Sequence, residues 1–203
     1  MMAHPALFTH PRPQIAAIIG NDTGILSEIV KHTTIDRVDA IENNGEINKV
    51  FSQYFPVLNT LRDPRVHQIK DADIWLQQAP AETYDIIVLP LATDSLSTYF
   101  PLLRSNGILV QPCSSPWLNP LSIHSLFKTA QQTGFDDCQL FHFPQPSFPS
   151  GWRFGYMATK QSASRRIREK DIYNRPFKTR YYNFDMHKAA LALPEFLLGE
   201  IYA

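Results

Sequence analysis

The sequence predicts an α/β fold: a mostly parallel sheet of seven strands, covered by helices on both faces and closed at one edge by an antiparallel hairpin. Three observations carry this. Short β-rich apolar runs alternate with amphipathic stretches through the first two thirds of the chain, the pattern of successive strand–helix units. The run Tyr84–Leu91 is the most apolar, as expected of a central parallel strand buried on both sides. The last two strand patterns have no helix between them, so they pair antiparallel.

The elements follow in order. Ile15–Gly20 is a buried strand that turns through Asn21-Asp22-Thr23-Gly24 into a helix with Ile25, Leu26, Ile29 and Val30 on one face. Arg37–Glu42 is the second strand, and Gly45–Phe55 a helix aligning Ile47, Val50, Phe51 and Tyr54. Val66–Lys70 is the third strand, followed by a short helix holding Ile74, Trp75 and Leu76. Tyr84–Leu91 is the fourth strand, Thr93–Arg104 a helix, Gly107–Pro112 a strand and Pro120–Thr133 a helix. Cys138–Phe143 and Trp152–Thr159 close the sheet across the Pro-rich loop Pro144–Gly151. Gln161–Arg180 is a polar, basic excursion, and His187–Tyr202 is a terminal helix interrupted by Pro194. The chain divides into a sheet domain, 1–160, and an extension, 161–203, docked on it.

Composition narrows the function. The 203 residues carry 19 Lys+Arg against 19 Asp+Glu, and 44% are hydrophobic. That apolar share supports a core, and zero net charge lacks the basic footprint of a nucleic-acid binder. No run of roughly 18 apolar residues is present for a bilayer, and Met1–Pro13 has no secretory signal pattern. The expectation is a soluble cytoplasmic protein with Cys113 and Cys138 as reduced thiols.

In such a sheet, ligands bind beyond the C-terminal strand ends, where the strand order reverses. Three features fall there. Gly20 and Gly24 bracket the first strand-to-helix turn; glycine permits close backbone approach, and a helix start offers free N–H donors. Read alone, this is equally a plain tight turn. Glu42 ends the second strand about 20 residues on, the spacing of a carboxylate that accepts both ribose hydroxyls, or else a solvent-facing acid. Asp71-Ala72 ends the third strand, where an acid accepts from an adenine amine or caps the next helix. Together the three point to an adenosine-type ligand. The histidines and cysteines lack metal-ligand spacing, so no metal is expected. Ser114 and Ser115 lack the glycines of a nucleophile elbow. The aromatics from Phe141 to Tyr156 read as core and interface, and Arg165–Lys170 as a solvated face.

Several blocks carry a resemblance. Met1–Pro11, Tyr54-Phe-Pro56, Asp63-Pro-Arg-Val66, Ser115-Pro-Trp117, Phe148-Pro-Ser-Gly151, Tyr181-Tyr-Asn183 with His187, and Ala192-Leu-Pro194 occur in this order. The chain resembles the polyamine aminopropyltransferases (spermidine synthases) along its whole length, as a divergent member without the N-terminal β-domain. The resemblance implies a Rossmann-like sheet of the class I S-adenosylmethionine-methyltransferase type. It also implies transfer of an aminopropyl group from decarboxylated S-adenosylmethionine to an amine such as putrescine, with methylthioadenosine as product. No tightly bound cofactor is implied. The partners are the amine and the adenosine-containing donor, with a homodimer left open. By resemblance Gly20, Asp22, Gly24, Glu42, Asp71 and Ala72 bind the donor, Asp22 faces the aminopropyl end, and Phe148 and Trp152 stand at the acceptor side.

The departures concentrate on the acceptor side. Where the family carries Asp-Ser-Ser-Asp-Pro after the fourth strand, this chain reads Pro90-Leu-Ala-Thr-Asp94. Pro90 takes the position of the catalytic acid, and Asp94 replaces it only if the loop shifts. The loop that follows is shorter by roughly ten residues in the same comparison, and loop length is readily varied. A family glutamine matches Pro112, or Gln111 after a one-residue slip. Phe148 lacks the family's tyrosine hydroxyl, and the next aromatic is displaced to Trp152. Two further classes stay open: a pseudoenzyme that keeps an adenosine pocket as a binding or regulatory module, and, more distantly, a methyltransferase.

Overall fold

The computed structural model describes residues 1–20, 23–42, 50, 53–54, 60–119, 121–161 and 166–202, apart from the side chains of residues 23, 121 and 200–202. A buried helix, α1 (His4–Thr9), precedes β1 (Ile15–Ile19), α2 (Thr23–Ile29), β2 (Arg37–Ile41) and β3 (Val66–Ile69). Then come α3 (Ala72–Gln78), β4 (Tyr84–Val88), α4 (Leu96–Tyr99), β5 (Leu103–Cys113) and α5 (Leu121–Thr133). The chain closes with β6 (Asp137–Pro144), β7 (Trp152–Thr159), α6 (Glu169–Tyr173), α7 (Phe184–Leu191) and α8 (Glu195–Tyr202).

The seven strands form one sheet in the order β3-β2-β1-β4-β5-β7-β6. β1 to β5 are parallel, while β7 runs antiparallel to both neighbours. From β1 the chain winds outward to β3, then returns to β4 on the other flank of β1. The strand order therefore reverses between β1 and β4, opening a crevice above their C-terminal ends. β7 inserts between β5 and β6, so β6 is the outer edge of the expected hairpin.

Alternation along the strands divides the core. Ala16, Ile18, Val38, Ile86, Val88 and Val110 face Leu7, Leu26 and Ile29. Ala17, Ile41, Ile87, Leu89, Leu109 and Tyr156 face Trp75, Ile123 and Ala130 on the opposite side. Asp85, buried at the lower end of β4, accepts from the backbone N–H groups of Gln14 and Ile15, both at 2.8 Å, and pairs with Arg104 at 3.1 Å. That ion pair lies at the end opposite the crevice.

Two expected helices change, one lies mostly outside the described residues, and the N-terminal segment adds an element. The helix over Thr93–Arg104 shrinks to α4 and a 3-10 turn, Phe100–Leu102. Pro101 has no N–H to continue an α-helix, and Leu103 already pairs with Tyr84 in the sheet. The terminal helix is two helices, α7 and α8, parted at Pro194; Asn183 caps α7 by accepting from the Met186 N–H at 2.8 Å. The helix expected over Gly45–Phe55 lies mostly outside the described residues, and its Val50 and Tyr54 are exposed. Finally, Met1–Pro13 contains α1, every residue of which is buried. No described helix is long and apolar enough to cross a membrane.

Candidate active site

The crevice is built from strand ends held in line by backbone hydrogen bonds. The Gly20 N–H donates to Ile41 O at 2.9 Å, Glu42 N–H to Ile69 O at 2.8 Å and Leu89 N–H to Val110 O at 2.8 Å. Gly20, Glu42 and Pro90 thus leave the sheet at the same level. Gly20 has φ +114°, in the region that glycine alone occupies without strain. A Cβ at Gly20 would stand 3.6 Å from Pro90 Cδ, so the first turn and the end of β4 are in contact across the reversal point.

The described residues expected on the donor side lie along this rim. Gly24 lies in the first turn of α2, and Glu42 follows β2 half-buried. Asp71 follows β3, where its Oδ1 accepts from Asp73 N–H at 3.1 Å and Ile74 N–H at 2.9 Å. It is therefore the N-cap of α3, with Ala72 as that helix's first residue. The cap uses one carboxylate oxygen of this exposed side chain. Asp22 lies outside the described residues.

Beyond β4, Gln111 organises the loop. Its buried amide accepts from Thr93 N–H at 3.0 Å, donates to Thr93 O at 3.0 Å and donates to Tyr156 Oη at 2.8 Å. Of the two glutamine registers considered, Gln111 is the side chain that reaches the loop. Asp94, next to this anchor, is exposed. Burial first, with the Asp94 charge as a lesser contribution, pushes the Tyr156 hydroxyl well above its usual pKa.

β7 separates two neighbouring aromatics from an arginine. Trp152 packs edge-on against Trp117 at 5.9 Å and His142 at 5.1 Å, on the same face as Phe154. Arg153 points to the other face. There its guanidinium lies 4.9 Å from the Phe148 ring centroid and donates from Nη2 to Pro90 O at 3.3 Å. Arg153 shares a cleft of about 280 Å³ with Met1, Met2, Gly24, Glu28 and Phe143. Glu28, Arg153 and α1 escaped the sequence reading. The two-residue period of β7 was the available signal, since it sets Arg153 opposite Trp152.

Glu28 is already engaged. It accepts from His4 Nε2 at 2.8 Å and Lys31 Nζ at 2.6 Å, and these partners hold its carboxyl down at about 2 against its burial. His4 then accepts at Nδ1 from His32 Nε2, 2.9 Å away. Burial lowers both histidines, His32 to about 2, so this relay is neutral at physiological pH. Burial raises both cysteine thiols to about 12, which disfavours thiolate chemistry. Among the described residues, no group of three or more His, Cys, Asp or Glu side chains converges on a metal-sized site.

Comparison with known proteins decides the family. The spermine/spermidine synthase domain pattern matches residues 1–170. The chain belongs to the spermine/spermidine synthase family. The polyamine aminopropyltransferase of Halorhodospira halophila is 36% identical over 212 residues, covering 97% of this chain and 76% of that protein. The one from Nitrosococcus oceani is 35% identical, covering 97% and 74%. In structure, spermidine synthase from Thermotoga maritima superposes with a TM-score of 0.88 at 22% identity, over 100% of this chain and 73% of that one. A S-adenosylmethionine-dependent O-methyltransferase from Thermotoga maritima shares the sheet at TM-score 0.53 and 14% identity, over 77% of this chain and 62% of the other. The Rossmann-like fold of the resemblance therefore holds, and the two sequence relatives are polyamine aminopropyltransferases.

Proposed function

We propose that the chain transfers an aminopropyl group from decarboxylated S-adenosylmethionine to a small-molecule amine in the cytoplasm, without nucleic-acid or membrane partners. The observation that carries this is the alignment of Gly20, Glu42 and Asp71 on successive strand ends beside the β1/β4 reversal. Glu42 takes the donor's ribose hydroxyls, Asp71 with Ala72 takes the adenine edge, and the turn from Gly20 through Asp22 to Gly24 accommodates the sulfonium end.

The chemistry asked of the protein is modest. The acceptor nitrogen attacks the carbon beside the sulfonium, a C–N bond forms, and the C–S electron pair returns to sulfur. Methylthioadenosine leaves neutral, and the new ammonium releases a proton. The protein must hold the amine in line and accept its proton. Pro90 offers no carboxylate for this, so Asp94, carried by the loop that Gln111 anchors, serves as the base. Phe148 borders the acceptor, and Trp152 braces the strand that presents it. Assembly as a homodimer is compatible with this site.

Methylthioadenosine release from the decarboxylated donor, measured against a panel of amines, tests the reading. Glu42→Gln should raise the donor KM about 10-fold or more, the scale of a lost charge-assisted hydrogen bond. Asp94→Asn should lower kcat about 100-fold, as for a missing general base. A fully active Asp94→Asn enzyme removes Asp94 from the mechanism. No release with any amine overturns the transferase reading and leaves an adenosine-binding module.

A further inference from the structure

A cation occupies the acceptor side of the site. Arg153 lies in the cleft between α1, the start of α2 and the β6–β7 hairpin, and its guanidinium reaches the Pro90 carbonyl and the Phe148 ring. The resemblance puts a catalytic carboxylate at Pro90, so here a fixed positive charge stands where an acid would receive an amine. Among the described residues, no carboxylate lies within ion-pair distance of Arg153. Its Nε is buried without a hydrogen-bond partner. An unpaired N–H on the planar edge of a guanidinium is the donor that a carboxylate takes in a two-point bond.

The other charges in the cleft agree. Glu28 is held by His4 and Lys31, so the only described acid lining the cleft is already balanced. A plain diamine entering this cleft as a dication would meet Arg153, while the acid that lines the cleft is already paired. A ligand carrying both an amine and a carboxylate would instead place its acid on the Arg153 edge, over Phe148.

Building on the aminopropyltransferase reading, we infer that Arg153 is a specificity residue that selects a carboxylate-bearing ligand, an amino acid in chemical class, over a simple diamine. The carboxylate belongs either to the acceptor or to the donor. In the first case a diamino acid replaces the diamine, and the transferred group is aminopropyl. In the second, intact S-adenosylmethionine replaces its decarboxylated form, and the transferred group is 3-amino-3-carboxypropyl. The bond changes are the same in both. The acceptor nitrogen bonds the carbon beside sulfur, the C–S pair returns to sulfur, methylthioadenosine departs and a proton is released.

Two pairs of probes differing by one carboxylate separate these sources: ornithine against putrescine, and S-adenosylmethionine against its decarboxylated form. Calorimetric binding is measured for each, with the acceptors titrated in the presence of methylthioadenosine, and methylthioadenosine release is measured for all four combinations. The expected result is that at least one carboxylated member binds and turns over about 10-fold better than its partner. Arg153→Gln should abolish that preference, a loss of about 10-fold, the scale of losing one charge-assisted hydrogen bond. Arg153→Lys, with charge but no fork, should recover part of it.

Ornithine superior identifies the acceptor as the source, and S-adenosylmethionine superior identifies the donor. Preference for both decarboxylated members in wild-type protein, a comparison that needs no variant, overturns the inference. An unchanged preference in a folded Arg153→Gln protein does the same. Absence of release from all four combinations defeats the transferase reading alone, because the binding preference still decides the role of Arg153.

Discussion

Gln111 spends its whole side-chain amide on joining three parts of the site. One face clamps both backbone groups of Thr93, and the remaining N–H meets the Tyr156 hydroxyl. The clamp fixes the loop one residue before Asp94, so its loss is expected to affect both stability and turnover. Gln111→Leu keeps the volume but strands the Thr93 N–H and C=O and the buried Tyr156 oxygen. The expected cost is about 1–3 kcal/mol in urea unfolding, together with a kcat lowered about 10-fold as the proposed base, Asp94, loses the support of its loop. Gln111→Glu, which still accepts from the Thr93 N–H but cannot donate to its carbonyl, should fall between. Wild-type kcat in a destabilised Gln111→Leu protein would separate the loop from the chemistry.

The N-terminal helix α1 shows how an element with weak intrinsic propensity becomes part of the site. It has six residues and no side-chain cap at its start, too few to be stable alone. Arg168 supplies what it lacks. It donates from Nε to His10 O at 2.8 Å and from Nη2 to Leu7 O at 2.7 Å, while its guanidinium lies 5.7 Å from the Phe8 centroid. Arg168→Leu should therefore cost about 2–3 kcal/mol, since charged hydrogen bonds to buried carbonyls are lost. It should also speed hydrogen exchange in α1 more than in β4, because the opening is local. Equal acceleration across the sheet would refute a local clamp. This dependence explains what was legible beforehand. Strands such as Tyr84–Val88 declare themselves, because burial on both faces requires an unbroken apolar run. α1 is held by an arginine roughly 160 residues away in sequence, a tertiary contact beyond any propensity argument, and no local pattern announces it. The rim residues Gly20, Glu42 and Asp71 were readable from their places after strands. Arg153 was not, because its role depends on which face of β7 meets α1.

At the scale of the whole molecule, zero net charge conceals a set of histidines buried in their neutral form. His32 and His187 are nearly inaccessible, and burial lowers them to about 2 and about 4. His187 Nδ1 shares a hydrogen bond with the Tyr182 hydroxyl at 2.7 Å. The folded pKa values lie below the unfolded value of about 6.5, so the unfolded chain binds more protons as the solution is acidified. The stability these two residues contribute is thus complete above about pH 6.5 and declines as pH falls toward their folded pKa values. Between pH 7.5 and 5.0 each should remove roughly 2 kcal/mol of unfolding free energy. Glu28, held near 2, acts in a lower window: its contribution is present above the ordinary carboxylate range and disappears only as pH approaches 2. Urea unfolding at half-unit steps from pH 7.5 to 5.0 should therefore show stability falling from about pH 6.5, well before carboxylates titrate. His187→Leu removes one titrating group, so whatever its effect at pH 7.5, its slope between pH 6 and 5 should be shallower than wild type by about 1.2 kcal/mol per pH unit. Identical slopes would mean that His187 takes up its proton in the folded protein, and burial would not then be holding it neutral.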